Sequence, residues 1–190
     1  MALARAAKRR LRTLAHLTSM ANHATAQASL GDALRKQLQA LLDGGQAHAT
    51  FDDAVKDLPA ELRSAVPNNL PYSAWQIVEH IRIAQRDILD FSTNTNGNYK
   101  PRKWPDEYWP KNPAPPSADA WEQSIHHLRE DHKAFAKLLK TADDESLVAP
   151  FAWGDGHQSL LREAFLVADH TAYHTGELIV LRRLLGAWKK

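Results

Sequence analysis

His170 and His174 stand four residues apart within the run Ala168 to Glu177. That spacing stacks two imidazoles on one face of a helix and lets both reach a single metal ion. A third histidine, His80, lies in another strongly helical segment, Tyr72 to Ile81, with Ile77 and Ala84 on its own face. Three inward imidazoles from two helices would make a metal site with open coordination positions. Catalytic zinc uses that arrangement to acidify a bound water or thiol. A histidine in a helix seam is more often a core or edge residue than a ligand, and two ligands alone leave a site incomplete. The third histidine shifts the balance, because a seam otherwise made of Val, Leu and Ile offers buried imidazoles few hydrogen-bond partners.

The elements that must position these histidines follow from apolar spacing and punctuation. Ser29 opens a helix carrying Leu30, Leu34, Leu38 and Leu41, and Gly44-Gly45 ends it. A short helical pattern from Gln46 to Leu58 puts His48, Phe51 and Val55 on one face before Pro59. Ser73 caps the next helix, whose seam reads Ile77, Ile81, Ala84, Ile88 and Phe91, with His80 beside it. Residues 92–117 are irregular and rich in Pro and aromatics, a length that points to a lid or wall. Ser117 is expected to cap a helix to about Thr141 with the seam Trp121, Ile125, Leu128, His132, Phe135, Leu139. Ser159 opens the last helix, where Val167, His170, His174, Leu178, Leu181 and Leu185 share a stripe. No β-type alternation persists, so the expected fold is all-α, an up-down four-helix bundle with a long Pro/Trp-rich loop between its second and third main helices.

Composition narrows the function classes. The 190 residues suit one domain, 29–190, preceded by a basic Ala/Arg-rich segment, 1–28. Arg5, Lys8, Arg9, Arg10 and Arg12 all precede the first acidic residue, Asp32, and the remainder carries 19 basic against 22 acidic residues. The body therefore gives no reason to expect nucleic-acid binding. The basic segment has the composition of a transit peptide, a basic arm or an over-extended start with Met20 as initiator. There is no cysteine, which excludes disulfides, thiolate-ligated zinc and a thiol nucleophile of the protein's own. No apolar run is long enough to cross a bilayer, and a cytoplasmic protein without membrane contact is the expectation.

Three stretches carry a resemblance: the helix with Trp75, Glu79 and His80; the loop Trp104-Pro105-Asp106-Glu107-Tyr108-Trp109-Pro110; and the run from Asp169 to Glu177. Over roughly residues 30–188 the chain resembles the DinB-like superfamily of metal-binding four-helix bundles, related to thiol-dependent S-transferases and mycothiol-dependent maleylpyruvate isomerases. The resemblance implies that His80, His170 and His174 bind a divalent metal, with zinc or nickel first and iron or copper as further choices. It implies a small-molecule thiol as the substrate class. One departure is Glu177, where similar sequences commonly carry Gln. Three residues beyond His174, Glu177 could be a ligand, an outer partner or a general base, against the plainer role of a solvated or ion-paired residue at a bundle end.

Other candidates stay open. His48 and His157 are possible additional pocket residues, while His132 reads as a core-edge histidine. Asp169 and Tyr173 are candidates to support a ligand or to move a proton, although they lie off the inward stripe. Three functions compete: transfer of a metal-activated thiol; metal-assisted hydrolysis with Glu177 or Asp155 as base; and a stress-associated bundle whose structural metal is closed by His48 or Glu177. Bundles of this kind expose seams that can pair subunits, so a homodimer is expected.

Overall fold

The structure, a computed structural model, describes residues 29–67 and 70–188. The expected basic segment 1–28 lies outside the described residues. Helices α1 (Leu30–Asp43), α2 (Phe51–Val55), α3 (Ala74–Ser92), α4 (Ala120–Thr141), α5 (Asp144–Val148) and α6 (Leu160–Leu184) follow one another, with no strand among the described residues. The chain divides into two units after Leu34. Of the first unit, residues 29–34 are described, and there Ser29 Oγ accepts from the Asp32 amide at 3.0 Å. The second unit, Arg35–Lys190, carries the bundle and the site.

Local sequence explains most helix starts. Ser73 and Gln76 form a reciprocal capping box at α3, and Thr50 and Asp53 form another at α2. Ser159 caps α6 by accepting from the Arg162 amide. Two boundaries correct the sequence reading. The Gln46–Leu58 pattern yields only the five residues of α2, because the residues after Gly44-Gly45 turn before Thr50 can cap. In place of a Ser117 cap, α4 starts at Ala120, and the Ser117 hydroxyl donates instead to the Asp119 carboxylate at 2.6 Å.

The core forms where the seams meet: Trp75, Ile77, Val78 and Ile81 of α3 pack with Trp121, Ile125 and Leu128 of α4 and Leu178 and Leu181 of α6. At the far end of α3 the buried position is Leu89, while Ile88 and Phe91 are only half-buried. In α1, Leu38 is buried but Leu41 is exposed. Arg182, only 4 % exposed, donates to the carbonyls of Ala54 at 2.6 Å and Ala187 at 2.8 Å. It thereby supplies the end of α2 and the C-terminal tail with a charged donor that neither could find in an apolar core.

The bundle is all-α as expected, yet its connectivity is not strictly alternating. Glu79 meets Ser124, Gln85 meets the Leu128 carbonyl, and Arg86 meets Asp131, so α3 and α4 run in the same direction. Arg35 beside Asp144 and Asp43 beside His132 set α1 antiparallel to α4. Trp153, just before α6, donates to Phe91 at the end of α3, and His170 near the middle of α6 meets His80, so α6 is antiparallel to α3. Two parallel consecutive helices need a crossover, and residues 93–119 must climb the 19-residue α3, about 28 Å, to restart beside its beginning. Along that climb Tyr108 reaches Asp87 and His80, Pro110 accepts from Gln76, and Pro113 accepts from Ser73. This path lays the aromatic loop over His80.

Candidate metal centre

His80 is 1 % exposed and His174 is 7 % exposed, with His170 half-buried between them and solvent. One ring nitrogen from each lies within 4.8 Å of the other two. The spacing of four on α6 stacks His170 over His174 with ring centroids 4.5 Å apart, and α3 brings His80 edge-on to both at 4.8 and 4.6 Å.

Hydrogen bonds fix which nitrogen faces the cluster. His80 Nδ1 lies 3.0 Å from the Tyr108 carbonyl oxygen, and His174 Nδ1 lies 2.7 Å from Glu177 Oε2. Both partners are acceptors, so both Nδ1 atoms carry a proton, and the Nε2 atoms are the ones turned to the cluster. His80 Nε2 stands only 3.0 Å from His170 Nε2. Two lone pairs at that distance repel unless a proton or a cation lies between them. The donor set, three imidazoles of which two are oriented by an outer acceptor, suits a divalent cation.

Electrostatics keep His80 and His170 neutral. Burial pushes His80 down to about 4, against a partial lift from the Tyr108 carbonyl. His170 is pushed down to about 3 by burial and by the neighbouring imidazoles. Protons therefore do not compete for these two rings at neutral pH. The linkage has a definite sign. The unfolded chain takes up these protons near pH 6.5 while the fold refuses them until about 4 or 3, so their stabilising contribution is complete above 6.5 and is lost as pH falls towards those values. Chelator-treated protein should show a melting temperature that drops from pH 7.5 to 4.5, with a shallower slope in His170→Asn. An equal slope in the variant would show that other groups govern the acid limb.

The crossover builds the outer wall. Trp109 stacks face to face on His80 at 3.7 Å, and Tyr72 stacks on the far side of Trp109 at 3.7 Å, giving a three-ring pile. Tyr99 and Tyr108 both donate their hydroxyls to Asp87, one of them at 2.6 Å, which pins the loop to α3. Beside that carboxylate, burial holds the Tyr99 phenol up at about 12. Trp104, 69 % exposed, stands 6.3 Å from His80 at the mouth. Its peptide bond to Pro105 is cis.

The remaining candidates are placed elsewhere. His48 is exposed, its Nδ1 on the Ala49 carbonyl, and borders a groove of about 340 Å³ with His132, Thr171 and Thr175 on a different face of α6. His157 is exposed, and its amide donates to Asp155 within a turn. His132 is half-buried, 3.4 Å from Asp43. Asp169 is exposed, and Tyr173, also exposed, lies edge-on to His174 at 4.8 Å, its phenol pushed up by Glu177. Sequence reasoning missed three contributors: the Tyr108 carbonyl, Trp109 as a lid on His80, and Asp87 as the anchor. Asp87 had a readable signal, since seven residues after His80 it falls on the same helical face.

A family model described as the DinB superfamily matches residues 43–178 of this chain. No curated protein and no solved structure matches it. Among the described residues no helix is long and apolar enough to cross a membrane.

Proposed function

From the chain's membership of the DinB superfamily, we propose that it is a metal-dependent transferase that activates a small-molecule thiol at His80, His170 and His174. The observation that carries this reading is the convergence of three ring nitrogens without a fourth metal-ligating side chain in the same group among the described residues. When bound, a divalent ion supplies a Lewis-acid centre that acidifies a thiol or water in an open position. Zinc or nickel suits the donor set. The protein contributes the rest. Burial keeps His80 and His170 neutral at working pH, so neither of these two ligands must first lose a proton to bind metal. The Tyr108 carbonyl and the Glu177 carboxylate hold two of the three rings in register, and the exposed Trp104 offers an apolar surface to an acceptor molecule. A chain without cysteine must take its sulfur nucleophile from a small molecule.

The competing readings draw less support. A hydrolase would need a free base, whereas Glu177 is engaged by His174 and Asp155 by the His157 amide. A closed structural site would need a fourth protein ligand, and His48 borders a groove on another face of α6. The test is the consumption of small thiols in the presence of an electrophilic acceptor, followed as adduct formed, with zinc- or nickel-loaded and chelator-stripped protein. Adduct formed only by loaded protein supports the transferase. Ester hydrolysis without thiol consumption by the loaded protein would transfer the site to the hydrolase reading.

A further inference from the structure

Helix α6 spends its apolar residues on every side. Ala164, Val167, Leu178 and Leu181 are buried inward, yet Phe165 (49 % exposed), Tyr173 (64 %), Val180 (47 %) and Leu184 (48 %) point outward. A helix apolar all round is a helix buried all round, and among the described residues nothing covers the outer face. At 100° per residue, Phe165, Asp169, Val180 and Arg183 lie within about 40° of Gly176, with Tyr173 and Leu184 flanking them. Gly176 marks the centre of that face. Glycine inside a helix costs about 1 kcal/mol relative to alanine, and a Cβ at Gly176 would meet no atom within 4 Å. Packing inside the chain therefore does not require glycine there. A second helix crossing at that point would.

We propose that two copies of this chain pair through α6 in antiparallel orientation, about a two-fold axis at Gly176. Charge selects both the occupant and the direction. Asp169 and Arg183 stand seven residues before and after Gly176, on the same exposed face, and neither has an ionic partner among the described residues. An antiparallel copy sets Asp169 against Arg183 of the second copy, and symmetry repeats the pair. A parallel copy would oppose Asp169 to Asp169 and Arg183 to Arg183, an arrangement that repels at both ends. The same register lays Tyr173 over Ile179 of the second copy. The 25-residue helix, about 37 Å long, gives the pairing an extended face, on which apolar Phe165, Tyr173 and Val180 alternate with the charged Asp169 and Arg183, rather than a point contact.

The test uses the full chain in sedimentation at micromolar concentration, as wild type, Asp169→Arg, Arg183→Asp and the double exchange. Wild type is expected to sediment as a dimer, each single exchange to weaken association about tenfold or more, and the double exchange to restore it. Gly176→Cys gives an independent reading, because the chain carries no other thiol and the residue has open space around it. Under mild oxidation it should form a covalent dimer, while a cysteine in place of the exposed His126 on α4 should not. A wild type that stays monomeric across the range would overturn the proposal and leave the face to a different partner. So would a dimer indifferent to the charge exchanges that fails to cross-link at position 176.

Discussion

Wild-type protein is expected to hold close to one divalent ion per chain, and protein carrying His174→Ala to retain little. His174 contributes one of three ring nitrogens, and its loss leaves two ligands from different helices, too few to hold an ion against water. The fall in affinity should exceed the roughly 10–100-fold that loss of a supporting partner costs. Elemental mass spectrometry on untagged protein reads it directly. His157→Ala and His132→Ala are the controls, since the first lies in an exposed turn and the second pairs with Asp43. Metal should also raise the melting temperature of wild type and not of His174→Ala, because an ion bound only by the folded state stabilises it by mass action. Wild-type protein that resists reconstitution with zinc and nickel would reduce the three histidines to core residues, and equal occupancy in His174→Ala would place the ion elsewhere.

Glu177 separates orientation from charge. Its carboxylate accepts from His174 Nδ1 at 2.7 Å and so fixes the tautomer that turns Nε2 towards His80 and His170. Glu177→Ala removes the acceptor and is expected to weaken metal binding by roughly 10–100-fold. Glu177→Gln keeps an oxygen able to accept the same hydrogen bond and should recover most of that loss. Competition titration against a chelator of known affinity distinguishes the two variants. If Gln is as damaging as Ala, the negative charge rather than the geometry supports the site. If Ala is harmless, Glu177 is the plain solvated residue of a bundle end. A general base would behave differently again, with Gln keeping the metal but losing turnover.

His80 has no equivalent test by side-chain replacement, because its outer partner is a backbone carbonyl. That carbonyl arrives through the crossover, and Asp87 decides where the crossover sits by accepting from both Tyr99 and Tyr108. The histidine cluster and the loop are thus one construction: α3 supplies His80, and the segment that must travel back along α3 supplies its orientation and its aromatic cover.

The sequence by itself determined the features that depend on near neighbours. The spacing of four between His170 and His174 is a property of one helix, as are the Ser73 and Ser159 caps, and both survive any tertiary arrangement. The seams of α4 and α6 were legible for the same reason, and the absence of cysteine limited the chemistry before any fold was known. Only the tertiary structure decided that α3 and α4 run parallel, since helical period carries no direction. Only it chose the Tyr108 carbonyl for His80, the stack of Tyr72 and Trp109, and the open face of α6 around Gly176. An irregular segment has no period to read, and its course follows from which distant groups, here Asp87, Gln76 and Ser73, are left to satisfy its polar atoms.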